Sequence, residues 1–187
     1  DIISIDGFEC AGHPGEDDIP GLILIPAAAD KVKIPLLASG GFGDGRGLAA
    51  ALALGAEGIN MGTRFCATVE APIHDNVKQA YIDNDERGSV LIFRSLKNTA
   101  RVGRSAVSEE VARRLAQPGA TFDDVKDLVA GAAGREMLET GDLSKGIFWA
   151  GMIQGLIHDI PTCEVLINRI VTDAEAIIKG RLAGLIA

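Results

Sequence analysis

The feature that most constrains this chain is the alternation, in its first third, of short apolar runs with helix-forming segments. The predicted strands are Ile2–Asp6, Ile34–Ala38 and Gly58–Met61, and the predicted helices between them are Pro20–Val32, interrupted at Pro26, and Asp44–Leu54. Strands that alternate with helices at this spacing form βαβ units with a parallel sheet. Because the strands are almost wholly apolar, we expect the sheet to be covered on both faces.

The rest of the chain is predicted to be mainly helical. The predicted elements are a helix over Pro72–Tyr81, a strand at Ser89–Leu96, a helix capped by Ser108 that runs to Leu115, a capping box at Thr121–Asp124, an apolar helix over Ile147–Ile157, and a long helix from Thr162 whose apolar face holds Leu166, Ile167, Ile170, Val171, Ala174, Ile177 and Ile178. We therefore divide the chain into βα units at residues 1–70 and a mainly helical region at residues 71–187.

Composition supports an α/β fold and excludes several classes of function. The 187 residues include 23 glycines and only 4% aromatics, which fits α/β construction better than an all-β sandwich. A net charge of −8 argues against nucleic-acid binding, and no apolar run is long enough to span a membrane. The cysteines, Cys10, Cys66 and Cys163, lie far apart, which indicates reduced thiols in a cytoplasmic protein.

Two glycine-containing loops follow neighbouring predicted strands. The first, Ser39–Gly47, leads into a helix, so its backbone N–H groups either bind phosphate or simply form a tight turn that needs glycine. The second, Asn60–Phe65, carries a glycine and the Thr63 hydroxyl, which either contacts a ligand or caps the next turn. Because parallel strands end at the same edge of a sheet, we expect the two loops to form a shared phosphate site, as in many (β/α)₈ barrels.

A histidine follows the first strand at the same edge. His13 comes after the small residues Ala11 and Gly12, which would let a flat ligand approach the backbone, and histidine is well suited to act as a base near neutral pH. A solvated loop histidine is the alternative. The preceding Asp6 and Glu9 either orient a ligand or face solvent.

Other reactive residues receive structural interpretations. Cys10 has the character of a buried small hydrophobe, His74 is placed on an amphipathic helix, and His158 is placed at the end of an apolar helix. Glu16–Asp18 is interpreted as a solvated acidic turn. The histidines are spread along the chain, so no metal site is expected.

These motifs together resemble the nitronate monooxygenases, also called 2-nitropropane dioxygenases. The resemblance rests on Glu9–His13, on Ala38–Gly41 with Asp44–Arg46, on Met61–Phe65, and on the later segment Gln154–Thr162. It therefore runs along nearly all of the chain. Many family members have Gly-Gly where this chain has Ala11-Gly12, and Gln where it has Asp6.

The resemblance implies the C-terminal part of a TIM barrel that binds FMN, with an added segment that covers the substrate. The three strands would be the last three of eight. His13 would be the catalytic base. The residues that would contact FMN are Ala11 and Gly12 beside the ring, and Ser39, Gly40, Gly41, Asn60, Met61, Gly62 and Thr63 at the phosphate.

The expected activity is oxidation of a nitronate or nitroalkane by FMN and oxygen in a cytoplasmic enzyme, with a homo-oligomer possible because half-barrel edges recruit partners. The alternatives from related flavoenzymes are an enoyl-acyl-carrier-protein reductase and an NADH-dependent quinone reductase. A flavin-free aldolase or isomerase barrel and a truncated barrel without catalytic activity are further alternatives.

Overall fold

A computed structural model of the chain describes residues 1–186. In chain order its elements are β1 (Ile3–Asp6), α1 (Gly21–Ala29), β2 (Leu36–Ser39), α2 (Gly45–Ala53), β3 (Gly58–Asn60), α3 (Thr63–Cys66), α4 (Asp75–Asp83), β4 (Ser89–Ile92), β5 (Ala100–Gly103), α5 (Ala106–Leu115), α6 (Gly131–Thr140) and α7 (Cys163–Ala176). Short 3₁₀ turns lie at Arg94–Leu96, Phe122–Asp124, Met152–Leu156 and Ala183–Leu185, and α7 continues into a π-helical stretch over Ile177–Leu182.

The first three strands form the predicted parallel sheet, in the order β1-β2-β3. Asp6 pairs with Ser39, and Ser39 pairs with Asn60 on its other side. The last residues of the three strands therefore lie level at one edge. This register brings the loops after all three strands to the same end of the sheet.

Burial within this sheet is uneven. The central strand β2 is buried, with Leu36 and Ala38 almost inaccessible, whereas β1 is largely exposed. The prediction of a sheet covered on both faces therefore holds for β2 and is wrong for β1. The reason is that β1 has a neighbouring strand on one side only among the described residues.

Proline does not interrupt α1, contrary to our prediction. Pro26 lies inside the helix, which continues to Ala29. Its missing N–H would have bonded to the carbonyl of Leu22, and that residue is 67% exposed. Water can satisfy the carbonyl there, so the helix tolerates the proline.

A two-stranded antiparallel hairpin interrupts the helical second part. The predicted strand Ser89–Leu96 ends at Ile92, and it pairs with β5, which the sequence analysis missed. The helix α5 begins earlier than expected, because Ser105 is its N-cap. Ser108, the predicted cap, instead completes a capping box by accepting the N–H of Ser105.

Two further helical predictions are corrected. The capping box between Thr121 and Asp124 is present, but it opens only a 3₁₀ turn. The predicted apolar helix over Ile147–Ile157 is extended chain followed by the 3₁₀ turn Met152–Leu156, since residues 147–151 hydrogen-bond to other segments instead of to one another.

The long helix α7 starts after its predicted cap, Thr162, whose hydroxyl accepts the N–H of Val165. Its residues Leu166, Ile170 and Ala174 are buried, and the helix packs on α2. On the same helix Ile167 and Val171 are nearly half exposed, and the last two residues of the predicted apolar face, Ile177 and Ile178, lie in the π-helical stretch beyond α7. The face is thus only partly covered within the described chain.

Three apolar clusters hold the fold: one around the parallel sheet, one under the hairpin and α5, and one between α4, α6 and residues 148–157. Gly103 of β5 joins the last two. Its N–H donates to the carbonyl of Phe148 at 2.8 Å. The Phe148 ring is buried and packs edge-on against Tyr81, with centroids 5.4 Å apart.

We expect Gly103→Ala to lower the free energy of unfolding by about 1–3 kcal/mol, the usual cost of overpacking a core. An added Cβ would overlap ring atoms of the buried Phe148, so the ring or the strand would have to shift. Gly180→Ala is the matched control, because a Cβ there meets no atom within 4 Å. Equilibrium denaturation of both variants measures the difference, and equal stability would contradict the packing argument.

Candidate active site

A cavity of about 200 Å³ lies at the carboxyl edge of the parallel sheet. All of the predicted cofactor residues except Gly12 line it, together with Asp6, Cys10, Phe42, Gly151 and Ile153. The structure therefore brings the loops after β1, β2 and β3 to one place. The volume is below the roughly 300–1,000 Å³ of a complete small-molecule site, so this cavity fits one end of a larger ligand.

The two glycine loops present backbone donors without protein partners. Among residues 1–186, the N–H groups of Gly41 and Phe42 donate no hydrogen bond, and the same is true of Gly62 and Thr63. The Ser39 hydroxyl also makes no hydrogen bond within the described chain. Such unused donors on adjoining loops form an anion-binding arrangement.

Glycine is also required at this turn for steric reasons. Gly40 and Gly41 have φ of +81° and +83°, which disfavours other residues. A Cβ on Gly40 would lie 2.8 Å from the carbonyl oxygen of Gly7. The tight-turn and phosphate interpretations of this loop are thus compatible.

The helix that follows the first loop is already capped. The Asp44 carboxylate accepts the Gly47 N–H at 2.9 Å and pairs with Arg46. The first turn of α2 therefore faces a carboxylate of its own chain. Any anion bound here would use the loop residues before Asp44 and not the helix N-terminus.

Thr63 contacts a distant segment. Its hydroxyl oxygen accepts the N–H of Gly151 at 2.9 Å and does not cap α3. The hydroxyl proton remains available to donate toward the cavity. Arg64 turns away, because its guanidinium is 3% exposed and bonds to the carboxylate and carbonyl of Asp159.

His13 lies outside the 200 Å³ cavity, on the exposed part of the loop after β1. Its ring centroid is 5.9 Å from that of Trp149. Ala11 of the same loop lines the cavity, and Gly12, with φ of +81°, connects the two. The loop therefore runs from the cavity wall at Ala11 to an adjoining surface, where His13 lies next to Trp149.

The hairpin holds this loop. Gly12 and Arg101 form an isolated antiparallel bridge, in which each residue's N–H donates to the other's carbonyl. The Arg101 guanidinium is 5% exposed, donates to the Phe8 carbonyl at 3.0 Å and to Ser89 Oγ, and stacks 4.5 Å from the Phe8 ring centroid. Burial lowers the pKa of Arg101. Cys10 and the carboxylates of Glu9 and Asp18 raise it, but by less than burial lowers it.

The acidic residues of the loop are anchored. Both oxygens of Glu9 accept the N–H of Gly21, so Glu9 caps α1 from a distance of twelve residues. Glu16 accepts the N–H and hydroxyl of Thr99, and these hydrogen bonds lower its pKa. Asp18 forms a bidentate pair with Arg94. Glu16–Asp18 is an exposed turn, as interpreted, and its Glu16 and Asp18 carboxylates are in addition held by these hydrogen bonds.

The remaining reactive groups have structural surroundings. Burial, with a contribution from Asp6, raises the pKa of the Cys10 thiol to about 11, so the thiolate is scarce at neutral pH. His74 is the N-cap of α4, where its Nδ1 accepts the Asn76 N–H, and does not lie within the helix as predicted. His158 follows a 3₁₀ turn and not an apolar helix.

Two kinds of feature are absent from residues 1–186. No group of three or more His, Cys, Asp or Glu side chains is placed to hold a metal ion. Within the same residues, no helix is both long and apolar enough to cross a membrane.

Comparison with known proteins decides the family. The profile described as "Nitronate monooxygenase" matches residues 1–173. The chain belongs to the nitronate monooxygenase family.

The individual relatives include one protein that carries the family's name and two that carry other names. The chain is 33% identical to an octahydro-indene-carboxyl-CoA dehydrogenase of Rhodococcus jostii, over 93% of the chain and 59% of that protein. It is 31% identical to the nitronate monooxygenase npaC of Metarhizium robertsii, over 99% of the chain and 55% of that protein. The structure of FabK from Thermotoga maritima matches with a TM-score of 0.90 at 32% identity, over 99% of this chain and 57% of that one.

The chain therefore spans a little over half the length of these relatives. The predicted α/β fold is confirmed, since it superimposes on about half of a TIM-barrel enzyme. Sequence reasoning missed Arg101, Trp149 and Gly151. Each of these acts through a contact with a residue more than 80 positions away, and no local pattern marks such a contact.

We expect Arg101→Met to loosen the loop that carries His13. Methionine keeps the apolar stem but removes the hydrogen bonds to Phe8 and Ser89, so stability should fall by about 1.5–3 kcal/mol. Amide hydrogen exchange at Cys10–His13 should speed up as well. Arg104→Met is the control on the same hairpin, because Arg104 is exposed; equal effects of the two variants would refute a specific role for Arg101.

Proposed function

We propose that the full-length protein containing this chain is an FMN-dependent nitronate monooxygenase in which His13 is the general base. The observation that carries this proposal is the shared cavity at the sheet edge, with His13 beside it on the loop after β1. Its support is membership of a family named for this activity. An oxidoreductase is the class that the family itself indicates.

The residues present fit the phosphate end of FMN. The free N–H groups of Gly41, Phe42, Gly62 and Thr63 supply donors, and the hydroxyls of Ser39 and Thr63 add two more. Gly62 leaves room, because a Cβ there would meet no protein atom within 4 Å. Neutral donors on glycine-rich loops bind phosphate by this combination of close approach and aligned dipoles.

The remaining roles follow from position. When bound, FMN supplies the acceptor for the electrons of the nitronate, which pass on to oxygen. Ala11 and Gly12 present little side chain and admit the flat ring beside the loop. The neutral imidazole of His13 removes the α proton of a nitroalkane, whereas a nitronate arrives already deprotonated. Trp149 lies beside His13, with ring centroids 5.9 Å apart.

We expect Gly62→Asp to abolish FMN retention. The residue has negative φ and open space, so the new carboxylate enters without backbone strain and repels the phosphate dianion. Gly62→Asn is the isosteric neutral control and should retain more flavin. The measurement is the ratio of flavin to protein absorbance after purification. Equal retention by the two variants would refute the phosphate assignment, and a wild-type protein without flavin would favour a flavin-free barrel.

We expect His13→Asn to slow turnover of neutral nitroalkane by roughly 10²–10⁴-fold, the usual effect of losing a general base. Turnover of the preformed nitronate should fall much less, and the flavin should stay bound. Oxygen uptake with each substrate form provides the comparison, with His158→Asn as the control at another exposed histidine. Similar losses on both substrate forms would show that His13 is not the base.

A second candidate function is supported by the dehydrogenase of Rhodococcus jostii among the relatives. A dehydrogenase or reductase that acts on an acyl thioester, in the manner of an enoyl-acyl-carrier-protein reductase, would use the same phosphate loops. Rapid anaerobic bleaching of the flavin by NADH or NADPH would favour this class. Nitronate-dependent oxygen uptake without a nicotinamide favours the main proposal.

We also propose a cytoplasmic location and self-association for the full-length protein. All three cysteines are free, which suits a reducing compartment. The half-exposed residues of α7, Ile167 and Val171, provide apolar surface for contact.

A further inference from the structure

A second cavity, of about 390 Å³, lies between α4, α6 and residues 147–149. Its walls are mainly apolar and aromatic, and they include Ile73, Tyr81, Leu138, Ile147, Phe148 and Trp149. Arg135, which is exposed, is the charged residue of the lining. Both the size and the apolar character are those of a small-molecule site.

Trp149 connects this cavity with the candidate active site. Trp149 lines the cavity, and its ring centroid lies 5.9 Å from that of the His13 imidazole. The backbone there is fixed, because the Tyr81 hydroxyl donates to the Trp149 carbonyl at 2.9 Å. The indole is nevertheless 44% exposed. A ligand that reacts beside His13 can therefore extend past the indole into the cavity.

Two glycines of α6 keep the cavity open. Gly131 and Gly134 line it, and at Gly134 an added Cβ would meet only the Ile147 carbonyl oxygen, 3.7 Å away. Glycine inside a helix costs up to about 1 kcal/mol relative to alanine. Neither steric crowding nor positive φ requires glycine at these two positions. Their effect on the structure is to leave space where side chains would otherwise stand.

We propose that this cavity receives the apolar chain of the substrate, so that the enzyme prefers extended alkyl or alicyclic nitronates to nitroethane nitronate. This inference rests on the proposed function, because it places the reacting carbon beside His13. Burial of each additional methylene in an apolar wall favours binding by roughly fourfold. The chain-length dependence of kcat/KM is therefore the quantity that the cavity controls.

The experiment measures kcat/KM of the full-length holoenzyme for the nitronates of nitroethane, 1-nitrobutane and 1-nitrohexane. We expect a rise of roughly tenfold or more across the series. Gly134→Leu places a side chain in the cavity and improves helix propensity, so it should fold and should flatten the rise. Gly134→Ala also replaces the helical glycine but fills little of the cavity. It should therefore keep most of the rise in kcat/KM. Circular dichroism and flavin content confirm that both variants are folded.

The outcomes separate this inference from the proposed function. No rise in the wild-type enzyme, or an equal rise in Gly134→Leu, would overturn the cavity assignment while nitronate oxidation stands. If no nitronate is oxidised, the proposed function fails, and octanoate binding decides the cavity assignment. A change of indole fluorescence on adding octanoate, weakened in Gly134→Leu and kept in Gly134→Ala, would support an apolar-chain site; no binding would overturn it.

Discussion

The placement of His13 depends on a buried cation that belongs to another part of the chain. Arg101 lies in the hairpin, yet its guanidinium bonds to the Phe8 carbonyl and stacks on the Phe8 ring. A charge that is 5% exposed is tolerated only when its donors are satisfied, and here carbonyl and hydroxyl oxygens satisfy them. The guanidinium contacts hold the loop at Phe8, before Cys10. The backbone bridge between Arg101 and Gly12 holds it after Cys10. The hairpin thus fixes both ends of a loop that would otherwise extend freely from β1.

The parts of the site that the sequence predicts are those that local chemistry specifies. Gly40 and Gly41 follow a buried strand, and positive φ at both positions is a property of the turn itself. Parallel pairing then requires that the loops after β2 and β3 lie together. Strand ends and loop composition are therefore enough to predict eight of the thirteen residues that line the cavity, without knowledge of the distant contacts.

The parts that the sequence does not predict depend on contacts between distant segments. Glu9 caps α1 only because the loop folds back over twelve residues, and a carboxylate on a strand end gives no sign of this. Trp149 lies in an extended stretch whose apolar composition favours a helix, but its neighbours bond to Thr63, Tyr81 and Gly103 instead. At α5 the error is local: Ser105 and Ser108 both have cap chemistry, and the strand before Ser105 decides which one begins the helix.

Under the proposed function, the phosphate lies in a cavity whose only charged lining residue, within the described chain, is the acidic Asp6. The chain as a whole carries −8, and Arg64, which follows Thr63, is turned toward Asp159. Attraction to the dianion must then come from backbone dipoles and hydroxyls, which act only over a short range and only when correctly directed. Such donors do not titrate. The pH dependence of flavin binding at this end would follow the phosphate group. The strength of binding would depend on how the loops at Gly40, Gly41 and Gly62 direct these donors.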